Sequence, residues 1–137
     1  MKIVLDTNIL ISALIKNSVS RQIILLSENE FYYPRESLNE VRKYKSLILE
    51  KSGLSEEEYD IILSKLLERI ILIENTEIEL FIREAKIVMD EIDPKDTIFI
   101  ASSLAKPQSV IWSDDSHFDR QNIVRVLKTA DIVKEFR

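Results

Sequence analysis

The stretch KIVLDTNILISALI, residues 2–15, decides the fold. Residues 2–5 are a short apolar run of strand type, stopped by Asp6, Thr7 and Asn8. Those three residue types start helices, and residues 9–15 follow as an apolar helix. A buried strand that feeds straight into a helix is a βα unit, and its carboxylate sits at the junction.

The same alternation continues outward from this unit. Ser18 or Ser20 is placed to cap a second helix running to Leu26. Residues 31–33 read as an aromatic strand stopped by Pro34. Ser37 and Glu40 have capping-box spacing and open a helix to about Lys51, with Gly53 where a helix end takes a left-handed residue. Ser55 and Glu58 repeat the spacing, and Tyr59, Ile62, Leu63, Leu66, Leu67 and Ile70 make one apolar stripe. A strand over 71–73 precedes a third capping-box pair, Thr76 and Glu79. Its helix carries Ile78, Phe81, Ile82, Ala85, Val88, Met89 and Ile92 on one face. Asp93-Pro94 breaks that helix. Residues 96–105 are apolar all round, hence a buried helix, which Pro107 ends. Strands over 110–112 and 123–127 and a short helix capped by Thr129 complete the chain. Alternating strands and helices imply an α/β fold in three layers, α/β/α, around a mostly parallel sheet of about five strands. Neither a linker nor a repeat divides residues 1–137, which read as a single domain.

Composition removes many chemistries. There is no cysteine, so no disulfide framework, thiolate nucleophile or Cys-ligated zinc. One glycine excludes a P-loop and the dinucleotide fingerprint, and one histidine excludes H-E-x-x-H. Carboxylates are abundant, 24 against 19 Lys plus Arg, for a net charge of −5. The strongly basic balance of many nucleic-acid binders is absent. The start of the chain lacks the apolar stretch of a signal peptide and no apolar run is long enough to span a membrane, so the expectation is a cytoplasmic protein.

In a parallel sheet, functional groups gather beyond the carboxyl ends of the strands, where strand order reverses. Asp6 ends the first strand, and Asp114 and Asp115 end the strand over 110–112. Asp93 and Asp96 start the helix before that strand, and Glu40 lies in the first turn after the strand over 31–33. Several junctions thus bring carboxylates to one sheet edge. Carboxylates that close repel and raise one another's pKa unless a cation sits among them, and oxygen donors suit Mg²⁺ or Mn²⁺. Such ions activate water and offset charge developing on a phosphodiester. Each acid also has a plainer role. Asp6 can cap a helix, Glu40 can partner Ser37, Asp96 can sit favourably at a helix start, and Asp114 and Asp115 can be turn residues. Their joint placement favours the metal reading. His117 is of general-base type, but nothing in the sequence fixes its geometry. Trp112 reads as core, and Arg35, Arg42, Lys43 and Lys45 as a solvated basic face.

The segments IVLDTNILISAL (3–14), ESLNEV (36–41), DPKDTIFIASSLA (93–105) and IWSDDSHF (111–118) together resemble the PIN domain. The likeness covers essentially the whole chain in the family's order. It is nearest to the stand-alone prokaryotic PIN proteins regarded as toxins of toxin–antitoxin pairs. The resemblance implies a central first strand and a Mg²⁺- or Mn²⁺-dependent ribonuclease. Asp6, Glu40, Asp96 and Asp115 match the family's acids, as catalytic and metal-binding residues. Asn8 and Ser113 match the polar residues that support them, and Asp93 and Asp114 resemble auxiliary acids. Two departures stand out. Lys106-Pro107-Gln108 replaces a Gly- or Ala-rich turn, and His117 and Asp119 lie outside the pattern. RNA is the implied substrate, with an antitoxin and a second copy of the chain as further partners. Ile61, Leu80 and Ile87, off the apolar stripes, offer a surface for the latter. Two rivals are a catalytically silent PIN-fold module that binds RNA or protein, and an aspartyl phosphotransferase of haloacid-dehalogenase type. The second expects an Asp where Asn8 stands.

Overall fold

β1 (Lys2–Leu5) is apolar on both of its faces, and Ile3, Val4 and Leu5 have no exposed surface. Such a strand must be covered above, below and on both edges, which places it at the centre of a parallel sheet. The computed structural model, which describes residues 1–15 and 19–135, shows this arrangement. β2 (Glu30–Pro34), β3 (Ile70–Ile73), β4 (Ser109–Trp112) and β5 (Val126–Leu127) join β1 in the order β3-β2-β1-β4-β5. Every pairing is parallel. The chain steps to one side for β2 and β3, then returns to the other side of β1 for β4 and β5. The switch point therefore lies between β1 and β4.

Helices cover both faces of the sheet. α1 (Thr7–Ile15) packs with α2 (Val19–Leu26), α3 (Leu38–Lys43), α4 (Lys45–Ser52) and α5 (Glu56–Glu68). α6 (Asn75–Glu79) and α7 (Ile82–Met89) pack on α8 (Thr97–Ala105), which lies on β1, β2 and β4. α9 (Thr129–Glu135) follows β5. The three-layer α/β/α fold expected from the alternation is present. Trp112, Tyr33, Phe31 and Phe118 are the largest side chains of its core. Among the described residues no single helix is long and apolar enough to cross a membrane.

Several local expectations change. Ser18 lies outside the described residues, and Ser20 is buried inside α2 rather than capping it. Pro34 is the last residue of β2 instead of its stop and pairs with Ile73. Ser37 forms no capping box: a 3₁₀ turn over Arg35–Ser37 already gives it helical backbone, and its side chain makes no cap bond. The helix expected to reach Lys51 is broken at Tyr44 into α3 and α4. Gly53 does end α4 with φ +69°, and the Ser55–Glu58 capping box forms with both bonds at 3.1 Å. The third box is Glu74 with Glu77, two residues before Thr76 and Glu79. β5 is shorter than 123–127 because the Gln121 side chain accepts the N–H groups of Ile123 and Val124 and donates to the Val124 carbonyl. Thr129 occupies the first turn of α9 without capping it: Asp131 accepts the Lys128 N–H at 3.0 Å. Gln108 takes a left-handed φ of +67°, in the turn where the family pattern has small residues.

Candidate metal centre

The register between β1 and β4 builds the site. Leu5 pairs with Trp112, so Asp6 and Ser113 leave the sheet side by side, and the Asp6 N–H donates to the Trp112 carbonyl at 3.3 Å. Both residues are buried. Asp6 Oδ1 accepts the Ile9 N–H at 2.8 Å, capping α1, while Oδ2 accepts the Ser113 hydroxyl. Ser113 Oγ in turn accepts the Asp115 N–H at 3.0 Å. One serine thus fixes a carboxylate of the first junction and the backbone of the fourth.

Asp6, Glu40, Asp93, Asp96 and Asp115 line one cleft of about 170 Å³, with Thr7, Asn8, Lys95 and Phe99. The four acids matched to the family pattern are together, as is Asn8. Asp114 is not with them. Its two oxygens accept the Thr129 N–H at 2.8 Å and the Thr129 hydroxyl at 2.7 Å, so its side chain ties the end of β4 to α9. The turn reading fits Asp114, whose carboxylate bonds Thr129 and does not line the cleft. Asp115 is half turn residue, since Oδ1 accepts the His117 N–H at 2.9 Å. Asp93 caps the 3₁₀ turn Pro94–Asp96 through the Lys95 N–H at 3.0 Å.

Glu40 and Asp96 have no such employment. With the Ser37 box unformed, the Glu40 carboxylate accepts no hydrogen bond from the described residues. Asp96 stands at the start of α8 without a side-chain cap bond, and its Oδ2 is buried without a partner. An unpaired buried carboxylate oxygen is costly, and such sites call for an explanation. Burial pushes the Asp96 pKa from the ordinary 3.8 to about 6, with the charges of Asp93, Asp115 and Asp6 adding and His117 opposing. Burial likewise raises Asp6 to about 6, against the hydrogen bonds from Ser113 and Ile9 and with help from Asp115 and Asp114.

The placement of two contributors was not legible beforehand. Tyr33, fully buried at the end of β2, shares a 2.8 Å hydrogen bond with Thr7 and donates to the Ser37 carbonyl at 3.1 Å. Its own pKa is raised, mainly by burial, with the charges of Glu40 and Asp6 adding and the Thr7 hydrogen bond opposing. His117 is the other. Its Nδ1 lies 3.2 Å from Asp93, 3.3 Å from Asp115 and 3.6 Å from Asp96. Of the basic residues expected on a solvated face, Arg35, Arg42 and Lys43 are exposed; Arg35 pairs with Glu74 at 2.8 Å, and Lys45 sits 5.4 Å over the Tyr59 ring. Lys95 lines the cleft. The donor set, carboxylate oxygens with one imidazole around a buried unpartnered oxygen, fits a divalent cation.

No curated protein and no solved structure matches the chain. The sequence model of one family, described as PIN domain, matches residues 4–132. PIN domains are generally metal-dependent nucleases. With that match spanning nearly its full length, over a parallel sheet centred on its first strand, this chain belongs to the PIN-domain family.

Proposed function

We propose that the chain is a divalent-metal-dependent endoribonuclease, with Asp6, Glu40, Asp96 and Asp115 holding Mg²⁺ or Mn²⁺. The observation that carries this reading is the pair Glu40 and Asp96. Both enter the cleft, and neither serves a cap or an ion pair with Lys or Arg. The chemistry an ion supplies there is a nucleophilic water at neutral pH and neutralisation of phosphate charge. The chain's own residues do the rest. Ser113 orients Asp6 and the Asp115 backbone, α1 holds Asp6 Oδ1, and Lys95 at the rim meets the substrate phosphate. RNA as substrate, an antitoxin partner and action as a cytoplasmic toxin rest on the likeness to stand-alone prokaryotic PIN proteins.

The test is cleavage of matched RNA and DNA oligonucleotides by the purified chain with Mn²⁺, Mg²⁺ or EDTA. RNA fragments that need metal and vanish in Asp96→Asn are the expected result. Equal cutting in EDTA, or by Asp96→Asn, overturns the reading. Growth arrest on expression, relieved by the same substitution, tests the toxin assignment.

A further inference from the structure

His117 lies outside the family's pattern and Asp93 resembles only an auxiliary acid, yet Asp93 lines the cleft and His117 stands against its acids. His117 belongs to the 3₁₀ turn Ser116–Arg120, which Asp115 caps and buried Phe118 anchors. That turn lays the imidazole against the start of α8. Nδ1 then faces Asp93 Oδ2, Asp115 Oδ1 and Asp96 Oδ2 at 3.2, 3.3 and 3.6 Å, and makes a hydrogen bond to none of them. Nδ1 and Asp96 Oδ2 are both buried atoms without a partner, although the ring as a whole is 44% exposed. One donor atom each from Asp93, Asp96 and His117 lies within 4.8 Å of the others.

A histidine serving only as a counter-charge would aim its N–H at one oxygen and close a directed bond. Here the nitrogen stands among three oxygens at similar distances. Donors about 2.1 Å from a shared ion lie roughly 3.0–3.4 Å apart at octahedral or tetrahedral angles, which is close to the spacing seen. The imidazole also changes which ion such a site favours. Mg²⁺ takes oxygen ligands and keeps its waters, whereas imidazole suits first-row transition ions.

We propose that His117 and Asp93 join Asp96 as direct donors to the divalent ion of this cleft, making it a mixed nitrogen–oxygen site that favours a first-row transition ion over Mg²⁺. The proposal rests on the reading that the cleft holds a cation, and adds the identity of two donors and the class of ion.

The experiment uses untagged protein, so that His117, the one histidine in the chain, is the one source of imidazole nitrogen. Mn²⁺ binding is followed by electron paramagnetic resonance of the free ion, with Mg²⁺ as competitor. Pulsed measurements on the bound ion look for ¹⁴N coupling. The expected result is an imidazole ¹⁴N coupling in the wild type that is lost in His117→Ala. Mn²⁺ affinity should fall about tenfold or more in His117→Ala and in Asp93→Asn, with Mg²⁺ affinity moving less than about twofold in His117→Ala. Asp114→Asn, whose carboxylate serves α9, should bind both ions as the wild type does. Circular dichroism melts in EDTA check that each variant is folded, and the ¹⁴N readout on the wild type needs no variant. Bound Mn²⁺ without nitrogen coupling, or an unchanged Mn²⁺-over-Mg²⁺ preference in folded His117→Ala, overturns the proposal and leaves the carboxylate site intact. A wild type that binds no Mn²⁺ at millimolar concentration overturns both.

Discussion

Carboxylates on the outer surface and those in the cleft live under different rules. Glu74, Glu77 and Asp119 each face a cation, Arg35 at 2.8 Å, Lys106 at 2.9 Å and Lys128 at 3.1 Å. Asp6, Asp93, Asp96 and Asp115 face one another, and Asp6 and Asp96 are raised by burial and by their neighbours. Folding alone explains the outer set, since exposed pairs cost little and contribute little, about 0–1 kcal/mol each. It does not explain the cleft, where like charges are held together by a serine, a helix start and a turn. Local rules are broken where a ligand repairs them.

The sharpest way to break the comparison lies between two adjacent residues. Asp115 opens into the cleft, and Asp114 is spent on Thr129. Asp115→Asn should lower metal-dependent RNA cleavage about a hundredfold or more with the fold retained. Asp114→Ala should keep cleavage within about threefold while lowering the melting temperature, because α9 loses two hydrogen bonds worth about 1 kcal/mol each. Single-turnover assays and thermal melts of both variants read this out. Similar losses of cleavage in both would erase the distinction.

Metal should separate the regions next. At a free Mn²⁺ concentration of about 100 times the dissociation constant, linkage stabilises the wild type by roughly 2.7 kcal/mol. Asp96→Asn should gain much less, and Glu77→Gln, on the outer surface, should gain the full amount. Melts with EDTA and with Mn²⁺ decide it. A wild type indifferent to Mn²⁺ would reduce the cleft to caps and turns.

Without metal the signs reverse. Asp96→Asn removes a charge from a repelling group and breaks no hydrogen bond that Asp96 makes, so it should raise the melting temperature in EDTA by about 3 °C. Asp6→Asn should do less, because Oδ2 accepts the Ser113 hydroxyl and an amide nitrogen there cannot. Glu77→Gln should lower stability slightly, within about 0.5 kcal/mol. An Asp96→Asn protein that melts below the wild type would assign Asp96 to the fold.

The sheet and the placement of its acids were legible because they follow from periodicity and from chain direction. An apolar run ending in Asp6, or in Ser113, Asp114 and Asp115, marks the carboxyl end of a strand wherever that strand lies. Capping pairs were less legible. Three i, i+3 pairs were read from the sequence, and the Ser55–Glu58 pair formed. Ser37 lost its chance because the turn after Pro34 enters α3 one step early, with Tyr33 holding the Ser37 carbonyl. A local pattern competes with the tertiary contact that sets where a helix begins, and there the contact won. The roles of Asp114 and His117 were hidden for a related reason. Neighbouring aspartates leave a strand end in different directions, and which one meets Thr129 depends on where α9 docks. The spacing of His117 from Asp93 is a distance across the fold, with no periodic trace in the chain.

The smallest effect is a difference in the sign of pH dependence. Asp6 and Asp96 have folded pKa values of about 6, above the ordinary 3.8. Between those values the folded state binds more protons than the unfolded chain, so stability falls as pH rises from about 4 to about 6. Glu58 and Glu77 are shifted the other way, Glu58 by the Ser55 N–H and hydroxyl, and Glu77 chiefly by its hydrogen bond from Lys106. Their contribution is present above the ordinary value of 4.5 and is lost as pH falls below it. The two regions therefore pull a metal-free stability profile in opposite directions, and the total alone does not separate them. The difference between wild type and Asp96→Asn does. Denaturant midpoints in EDTA, taken at intervals from pH 3 to 8, should show Asp96→Asn gaining on the wild type through the window from about 4 to about 6 and holding its advantage above it. Glu77→Gln should instead lose ground relative to the wild type as pH rises through the ordinary glutamate range. A constant offset across the whole range for Asp96→Asn would mean that its carboxylate titrates as it does in the unfolded chain, and that the cleft places no strain on its charge.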